Sequence, residues 1–163
     1  MKVAVMSDNH GDDEQIEQVL AYEKNADVFI HCGDSEAYGP ILDRFYAVRG
    51  NNDWFNPNLK NEITLNLEGH RIVVTHGHRA GYYGREAYFL SLAEEYAAEI
   101  VLCGHTHIPC HEVIDGIHII NPGSTRLPRG GSPACYCVLE LTPETLQVTF
   151  KSIKDGKEVT IHR

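Results

Sequence analysis

Lys2-Val3-Ala4-Val5-Met6-Ser7-Asp8-Asn9-His10 decides the reading of the whole chain. An apolar run of buried-strand length stops at a carboxylate and an imidazole two residues apart. The pattern returns three times. Val28-Phe29-Ile30 runs into His31-Cys32-Gly33-Asp34, Tyr46-Ala47-Val48 into Gly50-Asn51-Asn52-Asp53, and Ile100-Val101-Leu102 into Gly104-His105-Thr106-His107. After the first strand, Asp12 or Asp13 can cap a helix with Ile16, Val19 and Leu20 on one face. A short helical or irregular stretch over residues 40–44 precedes the third strand.

Farther along, the period changes. Ile63-Thr64-Leu65-Asn66-Leu67 alternates with period two, Glu68-Gly69 turns, and Arg71-Ile72-Val73-Val74-Thr75 returns, which predicts a hairpin ending at His76-Gly77-His78. A helix is expected over 85–98, with Ala87, Leu90, Ala93 and Ala97 facing inward. The last third reads as hairpins: 113–114 with 117–120 about Asp115-Gly116, then strands over 134–141, 146–151 and 158–162, the last two joined at Asp155-Gly156. Residues 122–133 form one long Pro/Gly-rich loop of the kind that serves a site. Crossover units followed by meanders imply an α/β fold of two mixed sheets packed face to face with helices outside.

The 163 residues suffice for one domain with a full core, expected over 1–163. No apolar run approaches the length of a membrane span, and residues 3–6 are too few for a signal-peptide core. The five cysteines show no C-x-x-C spacing, and Cys135 and Cys137 share a strand face without bridging. A reduced, cytoplasmic setting is expected. The net charge of -9 argues against broad nucleic-acid binding. It leaves room for a small phosphate-bearing substrate, because bound cations reverse the local field.

Ligands gather beyond the carboxyl ends of strands in sheets with crossover helices, and here the donors Asp8, His10, Asp34, Asn51, His76, His105 and His107 all follow such ends. Side chains two apart in extended chain point the same way, which would aim Asp8 with His10 and His105 with His107 into one site. Seven donors exceed what one ion takes from a protein. Their mixture of carboxylate, amide and imidazole suits manganese, nickel, zinc, iron or cobalt better than calcium or magnesium. Two divalent transition-metal ions sharing a bridging carboxylate use the set economically. Four positive charges less Asp8, Asp34 and a hydroxide leave the site net positive, which suits an anionic phosphate.

The ordered blocks Asp8-Asn9-His10, Gly33-Asp34, Gly50-Asn51-Asn52-Asp53, Thr75-His76-Gly77-His78 and Gly104-His105-Thr106-His107 resemble the calcineurin-like metallophosphoesterase superfamily. Asn121-Pro122-Gly123-Ser124 is similar to its short, single-domain phosphodiesterase branch. The resemblance spans residues 8–124 and implies a four-layer αββα sandwich. It assigns Asp8, His10 and His107 to one metal and Asn51, His76 and His105 to the other, with Asp34 bridging and manganese the first choice of ion. A hydroxide acidified by the ions would then attack phosphorus in line. Many members carry His where this chain has Asn52, and an amide is no general acid near neutral pH. His78 is the candidate replacement, no side-chain acid being assigned, and Asp53 the candidate for orienting a ligand.

The expected activity is therefore phosphodiester hydrolysis. Rivals are a non-catalytic metal-binding scaffold of the same fold, as in the retromer, and a phosphomonoesterase or protein phosphatase. Taken singly, His70, His118 and His162 read as surface residues, and His31 and His111 as structural or solvent-facing. Arg126 and Arg129 read as solvated loop residues. Trp54, Phe55 and Pro57 read as an apolar wall near the site, a piece of core or an oligomer contact. Terminal strand edges leave room for a homo-oligomer.

Overall fold

Alternation along the first strand builds the layers. In β1 (Lys2–Met6) Val3 and Val5 face one way and Ala4 and Met6 the other, and all four are fully buried. The computed structural model describes residues 1–161. There β1 is followed by α1 (Asp13–Tyr22), β2 (Val28–His31), β3 (Phe45–Ala47), β4 (Glu62–Leu67), β5 (His70–Thr75), α2 (Arg85–Tyr96), β6 (Ile100–Leu102), β7 (Cys110–Ile114), β8 (Ile117–Asn121), β9 (Cys135–Thr142) and β10 (Thr145–Ser152).

The strands form two mixed five-stranded sheets, ordered β10-β9-β1-β2-β3 and β4-β5-β6-β8-β7. β1, β2 and β3 are parallel in the first, as are β5, β6 and β8 in the second, while β9, β10, β4 and β7 run antiparallel to their neighbours. Val3, Val5, Ile30, Ile72, Val74, Ile100, Leu102 and Ile120 fill the space between the sheets. Ile16 and Val19 of α1 close the outer face of the first sheet on Ala4, Met6 and Phe29. Phe89, Leu92 and Ala93 of α2 close the second on Val73, Val101 and Ile119. The expected helix–sheet–sheet–helix order results, and the carboxyl ends of the parallel strands carry the candidate site.

Four expectations need correction. The buried face of α2 is Phe89, Leu92 and Ala93, whereas Ala87 and Ala97 are exposed. Large apolar side chains gain more from burial than alanines do and set the rotation of the helix. Asp12 occupies the N-cap of α1, but its side chain makes no capping hydrogen bond. The strand expected over 158–162 reduces to one bridge, Lys151 to Glu158, and His162 lies outside the described residues. His70 is buried, with Nδ1 2.7 Å from Glu99 Oε1 and Nε2 2.6 Å from the Thr142 carbonyl, so it pins β5 to the end of β9 across the two sheets. Among the described residues no helix is long and apolar enough to cross a membrane.

Candidate metal centre

The loops that end β1, β2 and β6 do not continue as extended chain. Asp8 (φ 58°), His10 (44°), Asp34 (55°), His105 (73°) and His107 (61°) all adopt left-handed backbone. That region is costly for a side-chain-bearing residue, at about 1–3 kcal/mol each. Asp8 and His10 do meet, as do His105 and His107 with their partners, but through left-handed turns rather than strand alternation. Main-chain hydrogen bonds hold the turns in place: Asp8 N–H to Gly33 O (3.0 Å), His10 N–H to Asp34 O (3.1 Å) and Gly104 N–H to His76 O (3.0 Å).

In one group, Asp8 Oδ1 lies 3.2 Å from His107 Nε2 and 3.6 Å from His10 Nε2, and the two Nε2 atoms are 3.1 Å apart. Each ring has its proton engaged on the far side. His107 Nδ1 donates to the Leu127 carbonyl (2.7 Å), and His10 Nδ1 faces Glu36 Oε2 (2.7 Å). In neutral rings both Nε2 lone pairs therefore aim at the same point as Asp8 Oδ1, a buried oxygen without a hydrogen-bond donor. The other Asp8 oxygen is occupied, receiving Ser7 Oγ–H (2.6 Å) and His105 N–H (3.1 Å). Three converging acceptors with no proton among them fit a bound cation.

The second group repeats this logic. His76 Nδ1 donates to the Cys32 carbonyl (2.8 Å), which leaves Nε2 facing Asp34 Oδ2 (3.3 Å) and Asn51 Oδ1 (3.1 Å). His105 Nδ1 reaches the same Asn51 oxygen at 3.2 Å. Each carboxylate approaches both groups: Asp34 Oδ2 is 3.8 Å from His10 Nε2, and Asp8 Oδ1 is 3.8 Å from His76 Nε2. Asp8, His10 and His107, and again Asp8, Asp34 and His76, have donor atoms within 4.8 Å of one another. All seven sequence-predicted donors thus come together.

The electrostatics call for positive charge at the same points. Burial alone would raise Asp8, yet the contacts with His10 and His107 hold it well below the usual carboxylate range. Asp8 in turn raises His10. Burial lowers His76, but Asp34 and Asp8 outweigh it and raise the ring overall. His105 is pushed down to about 4, first by burial and then by the positive charges of His76 and Arg85, so near neutral pH its lone pair is free for a ligand role.

Supporting side chains fix these loops. Asp53 accepts the amide hydrogens of Asp34 (2.8 Å), Glu36 (2.9 Å) and Gly50 (2.7 Å), and Asn52 donates to Asp34. His78 lies beside His76, with ring centroids 5.5 Å apart, and its Nδ1 is buried without a partner. Sequence reasoning missed Glu36, although it stands two residues after Asp34 as His10 stands after Asp8. Of the two roles open to His31, structural and solvent-facing, the structure shows the first: fully buried, it accepts from Gly33 N–H at Nδ1 and donates from Nε2 to Asn9 Oδ1 (2.7 Å). The 122–133 loop packs on the first group: Ser124 Oγ donates to the Asp8 carbonyl (2.7 Å) and Arg126 to the His10 carbonyl.

The calcineurin-like phosphoesterase superfamily domain matches residues 1–144. A probable metallophosphoesterase of Bacillus subtilis, YsnB, is 38% identical over 153 residues, covering 92% of this chain and 90% of its own. The phosphodiesterase YfcE of Escherichia coli K12 is 29% identical over 168 residues, covering 86% and 88%. The crystal structure of a predicted phosphoesterase from Streptococcus pneumoniae superposes with a TM-score of 0.83 at 30% identity, over 94% of this chain and 90% of that one. The chain belongs to the calcineurin-like phosphoesterase superfamily.

Proposed function

We propose that this member of the superfamily is a phosphodiesterase acting on a small phosphate ester with two divalent transition-metal ions, manganese foremost. The observation that carries the reading is the convergence of His10 Nε2 and His107 Nε2 on the orphaned Asp8 Oδ1, repeated by His76 and Asn51 around Asp34. Asp8, His10 and His107 would hold one ion, and Asn51, His76 and His105 the other, with Asp34 between. When bound, such ions supply Lewis-acid charge for the phosphate oxygens and acidify an attacking water.

The chain's own residues prepare that chemistry. The Leu127 and Cys32 carbonyls and Glu36 fix the tautomers of His107, His76 and His10. Asp53 sets Asp34 through the main chain, and Asn52 orients its carboxylate. No side-chain acid stands in the Asn52 position to protonate a departing alcohol, which favours esters whose alcohols leave easily.

The test is hydrolysis of bis-p-nitrophenyl phosphate against p-nitrophenyl phosphate by metal-stripped protein, with manganese, nickel, zinc or magnesium added back. Diesterase activity restored by metal and abolished in Asp34→Asn and His76→Ala supports the reading. Tight metal binding by folded protein with no hydrolysis under any ion would replace it with the scaffold.

A further inference from the structure

The two sheets end in β10, β3, β4 and β7, and an open edge strand is a template for pairing with another chain. Three of these edges are blunted. β3 has three residues, and the chain just past its end is held by the bridge from Val48 to Lys60. The terminal strand β10 is crossed by residues 157–159, where Ser152 N–H donates to Lys157 O and Val159 N–H to Phe150 O. β7 follows directly on Pro109 and carries Glu112 at its middle. β4 has no such device. Its six residues pair with β5 without a bulge, and within the strand no charge or proline follows Glu62.

The side chains of β4 are sorted by face. Ile63, Leu65 and Leu67 pack only partly on the core between the sheets, and Glu62, Thr64 and Asn66 alternate with them on the other side. A cavity of about 380 Å³ opens beside the strand, lined by Tyr46, Lys60, Ile63, Leu65 and Tyr96. Tyr46 stands 52% exposed there.

The sequence of this edge is complementary to itself. Two copies related by a two-fold axis along the sheet normal keep their inner faces on one side, so apolar residues oppose apolar ones. Pairing about Thr64 sets Ile63 against Leu65 twice, places Glu62 opposite Asn66, and brings Lys60 of each copy toward Glu68 of the other. The register about Leu65 would set Glu62 against Glu68, a like-charge pair. The register about Ile63 would leave Leu65 to Leu67 outside the pairing. Charge and apolar matching select the first.

We propose that β4 is the contact edge of a homodimer, two copies pairing antiparallel about Thr64 so that their five-stranded sheets become continuous. Main-chain hydrogen bonds supply the affinity, the Ile63–Leu65 pairs extend the core of each sandwich, and the two Lys60–Glu68 pairs fix the register. One strand from each copy makes a contact at the small end of specific interfaces, so association depends on concentration. None of these residues belongs to the metal centre, and the dimer stands or falls apart from the hydrolytic reading.

Sedimentation velocity of the full chain from about 1 to 100 μM should show monomer passing to dimer. Amides of residues 62–66 should exchange hydrogen more slowly as concentration rises. Lys60 and Glu68 are exposed, so reversing either charge leaves the fold intact. Lys60→Glu and Glu68→Lys should each weaken the dimer about tenfold, two cross-strand attractions having become repulsions. The double variant Lys60→Glu/Glu68→Lys should restore it. A monomer at every concentration overturns the proposal. So does a dimer that ignores the single reversals, or one that the double reversal fails to restore, because its interface then lies elsewhere.

Discussion

Asn52 closes on Asp34 at two points, its main-chain N–H on Oδ1 and its side-chain amide on Oδ2, both at 2.9 Å. Where the resemblance to the superfamily leads one to expect histidine, this chain has a donor that orients a carboxylate and gives up no proton. Asn52→His should raise kcat on an alkyl phosphodiester by at least about tenfold, a general acid being worth up to several powers of ten. p-Nitrophenolate leaves without help, so kcat on its ester should change little. Parallel rates on both esters test the idea, and equal gains on the two would mean that the residue acts only through Asp34.

Glu36 holds His10 Nδ1 at 2.7 Å, and it is itself in left-handed backbone (φ 50°). A carboxylate behind a metal-binding imidazole fixes the ring and raises its basicity. Glu36→Ala should weaken metal binding about 10- to 100-fold while far-UV circular dichroism stays native. Titration of stripped protein with manganese checks it, and unchanged affinity would reduce Glu36 to a surface partner.

Glu23, buried at the end of α1, takes Lys2 and Lys151 at 2.7 Å each and the Tyr136 hydroxyl at 2.8 Å, which joins the helix to β1, β9 and β10. Burial alone would raise its pKa, but Lys151, Lys2 and Tyr136 outweigh that and lower it. With the folded value depressed, its stabilisation is full above the ordinary 4.5 and is lost as pH falls through the lower folded value. Breaking a buried pair costs about 3 kcal/mol, so Glu23→Gln should lower Tm by roughly 10 °C at pH 7. Thermal melts should show this gap narrowing below pH 4.5. A constant gap would assign the loss to packing.

The order of strands and the seven donors is legible because buried strands are apolar runs and each stops at a side chain unlike the run before it. Other features leave no such trace. Left-handed backbone at Asp8 or His105 has only a weak marker in residue type, the modest enrichment of Asp and His there, and it is held by cross-loop hydrogen bonds that exist only once β1 lies beside β2 and β6 beside β5. Glu36 and His70 look like surface residues until partners 26 and 72 positions away reach them. The face of α2 misleads because alanine fits either side of a helix, and only the sheet beneath selects Phe89 and Leu92.

Gly104 shows how tightly the centre is packed. Its backbone is not left-handed, so alanine would be tolerated locally. A Cβ there, however, would stand 2.7 Å from Asp8 Oδ2, 3.1 Å from Ser7 Cβ and in overlap with Ser7 Oγ, the group that donates to that oxygen. Either Ser7 leaves Asp8 or Asp8 turns, and both move Oδ1 off the point where His10 and His107 converge. Overpacking of this kind costs about 1–3 kcal/mol, which should lower Tm by about 5 °C without unfolding the chain. A displacement near 1 Å costs on the order of a hundredfold in rate, so Gly104→Ala should lose diesterase activity far out of proportion to stability. It should also bind manganese at least about tenfold more weakly, as disturbed support of a metal ligand does. Melting, metal titration and kinetics on one preparation separate the effects. Native metal affinity in a variant of reduced Tm would show that Asp8 keeps its place and that the loop yields instead.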